Sequence, residues 1–129
     1  MREQKFYYCK HCGNFATMMN DSGVRMVCCG EPMALIEANS TEAVYEKHLP
    51  EVTKAGDDKI RVQVGSVIHP MVEAHFIKWI FVQTKQGGQF KFLQPGQEPV
   101  AEFAFTEDEV ETVFEYCNLH GLFKTDWKK

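Results

Sequence analysis

The chain lacks the signatures of several common protein classes. No basic stretch stands out in its 129 residues: 14 Lys and Arg face 18 Asp and Glu, for a net charge of −4. That balance excludes the positive surface expected of a nucleic-acid-binding protein. No apolar run approaches the length of a membrane span, and the longest ones are interrupted at Lys78 and Gln83. The opening MREQKFYYCK has neither the apolar core nor the small-residue cleavage site of a secretory signal. The cytoplasm is therefore the expected compartment. Internal repeats and low-complexity tracts are absent too. Residues 1–36 also hold too few apolar side chains for a conventional core, and a domain below about 40 residues usually needs a staple such as a metal.

What the chain does contain is cysteine and histidine, unevenly distributed. Four of its five cysteines fall between residues 9 and 29. Four of its five histidines and the last cysteine fall between 48 and 120. An odd cysteine count in a reducing compartment points to metal ligands or reactive thiols rather than a disulfide framework. With 44% apolar and 12% aromatic residues overall, the longer second part has the material for a packed core.

The pattern is mostly that of strands. Phe6-Tyr7-Tyr8 and Val24–Cys28 are short pieces separated by turns, and Met33–Ile36 forms an exit strand. Residues 37–50 read as a linker with a short helical turn, capped at Asn39 or Ser40 and ended by Pro50. From Lys59 onward, Ile60, Val62 and Val64 alternate with polar residues. His75–Thr84 is β-branched and aromatic on both faces, as in a central strand. Gln86-Gly87-Gly88-Gln89 reads as a hairpin turn. Phe90 and Phe92 flank Lys91, and Val100–Phe105 alternates again. Thr106–Cys117 is ambiguous: Thr106 and Glu109 resemble a capping box before a helically spaced Val110, Val113, Phe114 and Cys117, yet Val110, Thr112, Phe114 and Tyr116 also alternate. Several short strands separated by turns suggest a β-sandwich.

The first cluster is Cys9-x-x-Cys12, fifteen intervening residues, then Cys28-Cys29. A Cys-x-x-Cys turn brings two thiolates to one cation and a second pair completes a tetrahedron. Gly13 and Gly30 suit the knuckle turns that follow each pair. The vicinal Cys28-Cys29 constrains the angle at the metal and implies a distorted tetrahedron. The competing reading is a disulfide or redox Cys-x-x-Cys. Ligand type alone leaves iron and zinc both open.

The second cluster is His48, His69, His75, Cys117 and His120. Prolines follow close after His48 and directly after His69, fixing the local backbone. Cys117 and His120 form a Cys-x-x-His chelate followed by Gly121. Five nitrogen and sulfur donors are one more than structural zinc takes. Iron accepts them with a sixth position to spare, and a divalent cation bearing a single thiolate keeps a positive charge that attracts a small anion. Glu46 and Lys47 directly precede His48. Such a pair is ordinarily a solvated surface pair, but beside a ligand Lys47 could steer an anion.

Taken together, Cys9-x-x-Cys12…Cys28-Cys29, Glu46-Lys47-His48-Leu49-Pro50, His69-Pro70-Met71, His75–Ile80 and Cys117-Asn118-Leu119-His120-Gly121 resemble desulfoferrodoxin, the two-iron class of superoxide reductase. The resemblance runs from about Cys9 to Gly121. It implies an all-β chain, with a small desulforedoxin-like domain at 1–37 and a seven-stranded immunoglobulin-like sandwich at 38–129. It implies two irons per chain, one held by Cys9, Cys12, Cys28 and Cys29. The other would be held by equatorial His48, His69, His75 and His120 with Cys117 axial. It implies catalytic roles for Glu46 and Lys47, superoxide as substrate, a one-electron donor such as rubredoxin, and a homodimer. It favours strand over helix for Thr106–Cys117. His11 belongs to neither centre and is assigned to the surface.

Overall fold

The computed structural model describes residues 3–39, 48–106 and 108–127. Among the described residues all regular elements are strands, and no helix long and apolar enough to cross a membrane occurs. The chain separates into two compact units, Met1–Glu37 and Ala38–Lys129.

The first unit holds β1 (Phe6–Tyr8), β2 (Phe15–Thr17), β3 (Val27–Cys28), β4 (Glu31–Pro32) and β5 (Ala34–Ile36). Strands β2, β1 and β5 form one antiparallel sheet, and β3 and β4 form a separate hairpin. The buried core is only Tyr7, Cys9 and Met33, with Ala16, Met18 and Cys28 packed against it. Arg25 closes one side, its guanidinium 5.3 Å from the Tyr7 ring centre and donating to Met33 O at 2.7 Å. Two of the cysteines thus belong to the very small apolar cluster, so a metal bound there would complete the core as well as the site.

The second unit holds β6 (Pro50–Gly56), β7 (Lys59–Val64), β8 (Ile77–Thr84), β9 (Gly88–Phe92), β10 (Val100–Ala104), β11 (Val110–Cys117) and β12 (Gly121–Asp126). They make a three-stranded sheet, β10-β7-β6, and a four-stranded sheet, β12-β11-β8-β9, antiparallel throughout. One core lies between them: Ile60, Val62, Val64, Ala101 and Phe103 from the first sheet meet Ile77, Ile80, Val82, Val110, Val113 and Cys117 from the second. Burying each large aliphatic contributes about 1.5–3 kcal/mol. This is the seven-stranded immunoglobulin-like sandwich that the resemblance implied.

Several local expectations change. Residues 40–47, where the helical turn was expected, lie outside the described residues. Asn39, a candidate cap, pairs with Phe123 in an isolated bridge, and Pro50 begins β6. Thr106–Cys117 resolves as strand over Val110–Cys117. Its two periods coincide because both faces of β11 are covered, as its burial pattern shows. The strand expected to open at His75 begins at Ile77, because Val72 and His75 exchange backbone hydrogen bonds of 3.0 and 2.9 Å in a closed turn.

The β8–β9 turn is not a glycine turn of positive φ, since neither Gly87 nor Gly88 has that conformation. Gly88 is required for space instead: a Cβ there would lie 2.3 Å from Cζ of Phe81.

Candidate metal centres

Cys9, Cys12, Cys28 and Cys29 converge, with their sulfur atoms all within 4.8 Å of one another. The first pair sits on a knuckle. Gly13 N donates to Cys9 O at 2.9 Å, and Gly13 takes φ of 81°, a conformation open to glycine at no steric cost. The vicinal pair is explained by the β3–β4 hairpin. Adjacent residues of a regular strand point to opposite faces, so Cys28 and Cys29 could not chelate from one. Cys28 pairs with Glu31, which leaves Cys29 and Gly30 as a two-residue turn with φ of 53° and 77°. Positive φ at both positions defines the mirror-image turn favoured by hairpins. Cys29 is the only described residue other than glycine with positive φ, and that conformation swings its thiol back beside its neighbour's. Cys12 Sγ then lies 3.5 Å from Cys28 Sγ, and Asn14 Nδ2 donates to Cys28 Sγ at 3.5 Å.

The thiols differ in acidity. Cys9 is lowered to about 6, first by the backbone amide of Cys12 and also by that of His11. Cys29 is pushed up to about 12 by its interactions with the Cys12 and Cys9 thiols, and Cys28 is raised by the same two neighbours. Negative charge placed on one sulfur thus opposes charge on the next. A cation removes that opposition, and the four-sulfur donor set is what a soft iron or zinc site requires. His11 is exposed, its Nε2 3.1 Å from a Glu31 carboxylate oxygen.

The second group is built at one end of the sandwich. His48 precedes β6, His69 follows β7, His75 precedes β8, Cys117 ends β11 and His120 precedes β12. The antiparallel order brings these strand ends together, and their ligand atoms all lie within 4.8 Å of one another.

Each donor has its own support. Gly65 N donates to Leu49 O at 3.1 Å, tying the His48 segment to the end of β7. His69 Nδ1–H donates to Pro70 O at 2.7 Å. That bond leaves Nε2 as the bare nitrogen a metal needs. At Cys117 the β11–β8 register slips, with Tyr116 opposite Trp79 but Cys117 opposite Ile77. A bulge of this kind re-aims a side chain beside a site. Gly121, with φ of 94°, ends the three-residue loop that carries His120.

The four imidazoles close a circuit. Successive ring centres are 4.6 Å apart for His48 and His69, 4.7 Å for His69 and His75, 5.1 Å for His75 and His120, and 4.8 Å for His120 and His48. Neighbouring planes stand 64° to 83° to one another, like the blades of a propeller. Cys117 Sγ lies 3.6 Å from His69 Nε2 and 3.8 Å from His120 Nδ1. Cys117 belongs to the hydrophobic core, whereas His75 is half-buried and His120 exposed. The group therefore has a protected thiol end and an edge open to solvent.

Glu46 and Lys47 lie outside the described residues. Phe123, whose ring stacks on His48, gave no signal in the sequence; it is one aromatic among ten phenylalanines.

Fold and donor sets define a two-centre metalloprotein: a cysteine-stapled module joined to a β-sandwich with a five-donor group at its edge. The comparisons give the family. Residues 40–126 match the profile described as desulfoferrodoxin, and residues 1–36 match the desulfoferrodoxin N-terminal domain. The desulfoferrodoxin of Nitratidesulfovibrio vulgaris is 42% identical over 124 residues, covering 96% of this chain and 97% of its own. The crystal structure of the superoxide reductase from Treponema pallidum superposes with a TM-score of 0.84 at 32% identity, covering 98% of this chain and 100% of that one. The one-iron superoxide reductase of Giardia intestinalis superposes with a TM-score of 0.54 at 31% identity, covering 65% of this chain and 99% of its own. The chain belongs to the desulfoferrodoxin family, which carries two iron centres. The two donor groups present here suit one iron each: four soft thiolates in the first, and in the second five donors where structural zinc takes four.

Proposed function

We propose that this chain is a superoxide reductase, reducing superoxide to hydrogen peroxide by one electron and two protons without forming dioxygen. The observation that carries the reading is the closed circuit of four imidazoles with one core-buried thiol beside it. Iron held there by His48, His69, His75, His120 and Cys117 would supply a one-electron donor for a small anion.

The residues of the chain do the rest. Four neutral imidazoles add no negative charge, so superoxide meets an attractive edge at His75 and His120. Cys117 contributes its thiolate from the apolar side, where water cannot compete for the sulfur. Lys47, next to His48 in sequence, steers the anion inward and holds a proton-delivering water near it. Glu46, two residues before His48 in sequence, would offer a carboxylate to the metal in its resting state. A one-iron superoxide reductase matches 65% of this chain, which supports residues 38–129 as the catalytic domain and leaves Cys9, Cys12, Cys28 and Cys29 as the staple of residues 1–37 and a relay for the incoming electron. Rubredoxin, or a donor like it, returns the electron. The protein works as a cytoplasmic homodimer in superoxide detoxification.

The test is the product balance on iron-loaded protein with a one-electron donor in excess. One hydrogen peroxide per superoxide consumed, with no dioxygen released, is expected. Half that yield with dioxygen evolved would make it a dismutase, and no acceleration over the spontaneous reaction would leave it an electron carrier. Lys47→Ala is expected to slow the reaction at low salt and to flatten its salt dependence.

A further inference from the structure

The turn that bears Cys117 and His120 also grips the turn that bears His75. Strand pairing between β11 and β8 ends at Cys117 opposite Ile77, and Asn118 carries it one residue further, its amide donating to Phe76 O at 3.2 Å. The Asn118 side chain then acts as an additional peptide group. Oδ1 accepts from Phe76 N–H at 2.9 Å, and Nδ2 donates to Ala74 O at 3.1 Å. Those two main-chain groups flank His75 on either side. The far side of the turn is closed by the paired bonds between Val72 and His75. The His75 backbone is thus held by its own turn and by one carboxamide from the turn that follows β11.

We infer that Asn118 is a positioning residue for the five-donor centre: its carboxamide sets where His75 stands relative to Cys117 and His120. The inference rests on reading that group as the iron site. Among side chains of this length only asparagine carries an acceptor and donors on one planar group. Aspartate keeps the bond from Phe76 N–H but turns a second acceptor toward Ala74 O. Alanine keeps neither bond. A centre whose ligands must hold their places to within about 0.5 Å depends on such support, and partners of this outer kind are worth about 10- to 100-fold in metal affinity.

The test is a chelator titration of the iron-loaded chain, following the Cys117-to-iron absorption band with the four-cysteine bands in the same sample as reference. Asn118→Ala is expected to lose iron from the five-donor centre at about 10- to 100-fold lower chelator, with its Cys117 band shifted. Asn118→Asp, which preserves size and one bond, is expected to fall between alanine and the parent, and it remains informative if alanine does not fold. In both variants the four-cysteine bands should titrate as in the parent. Parental retention and an unshifted band in Asn118→Asp and Asn118→Ala would overturn the inference, as would equal losses at both centres, which mark a general folding role. Failure of the functional reading is distinguishable. A parent that holds iron at this group but leaves superoxide unreduced would sink the reductase and leave the Asn118 result standing.

Discussion

The imidazole of His48 lies flat on the ring of Phe123, with centroids 4.6 Å apart and planes 14° apart. Phe123 sits in β12 and is buried, so a ligand in a loop before one sheet rests on a strand of the other. Neighbouring bonds reinforce the placement: Asn39 exchanges backbone bonds with Leu122 and Lys124 on either side of Phe123, and Thr125 Oγ1 donates to Pro50 O at 2.8 Å.

Replacing Phe123 by Leu keeps an apolar side chain but removes the flat surface under His48. The ring contact is worth about 0.5–1.5 kcal/mol beyond burial. The variant is expected to melt a few degrees lower and to hold iron at the five-donor centre about 10-fold less tightly. Calorimetry and chelator titration would check both. An unchanged affinity would mean that backbone bonds alone place His48.

A methyl group at position 88 has no room. The Cβ of Gly88→Ala would stand 2.3 and 2.5 Å from Phe81 Cζ and Cε1. Phe81 cannot step aside freely, because it packs between Phe90 at 4.3 Å and Phe114 at 6.0 Å. Overpacking of this kind costs about 1–3 kcal/mol. A fall in melting temperature of several degrees, measured on the loaded chain, is the expected result. Both metal-centre spectra should stay the same, since the clash lies at the far end of β8 from His75.

Much of this arrangement was legible because its physics is local. Four cysteines at ribbon-like spacing, prolines close after two histidines and a Cys-x-x-His before glycine all announce ligands within a few residues of each other. Strands β7, β9 and β10 alternate and were visible for that reason. What escaped depends on distant chain. Strand β6 is an edge strand with a mostly exposed pattern, so Glu51–Gly56 shows no period. Strand β11 is covered on both faces, which erased the difference between its two periods. Glu115 pairs across to Ile80 and is wholly buried, though nothing in the sequence separates it from a surface glutamate. The circular order of the histidines, and the carboxamide of Asn118 between them, follow from which strand ends share one edge of the sandwich.

The turn that brings the Cys28 and Cys29 thiols side by side gives a further expectation. Gly30 takes φ of 77°, and a Cβ there would meet nothing within 4 Å, so the cost of Gly30→Ala is one of backbone conformation, about 1–2 kcal/mol. The four-cysteine centre is expected to release iron at several-fold lower chelator, with its tetrahedral bands otherwise intact. Superoxide reduction should proceed at the parental rate when electrons come from a small-molecule donor. A loss of that rate would show that the two centres are coupled in turnover.

The unequal acidity of the thiols predicts how metal uptake depends on pH. Metal binds thiolates, so every protonated cysteine must give up its proton on binding, and affinity falls as pH falls. Cys9, lowered to about 6 chiefly by the Cys12 amide, is already a thiolate near neutrality and releases nothing there. Cys28, which is raised, and Cys29, pushed up to about 12, still carry protons and must release them. Below the Cys9 value that thiol is protonated as well, and binding must displace one more proton. Zinc titrations of a chelator-stripped His75→Ala, His120→Ala chain, in which the five-donor group no longer competes for the metal and its imidazoles add little to the count, are run by calorimetry in buffers of different ionisation enthalpy at about pH 5 and about pH 7.5 and count the four-cysteine protons. One additional proton at the lower pH is expected, together with a steeper fall of affinity with pH on that side of about 6. The same count at both pH values would mean that the amides of Cys12 and His11 do not hold Cys9 as a thiolate before the metal arrives.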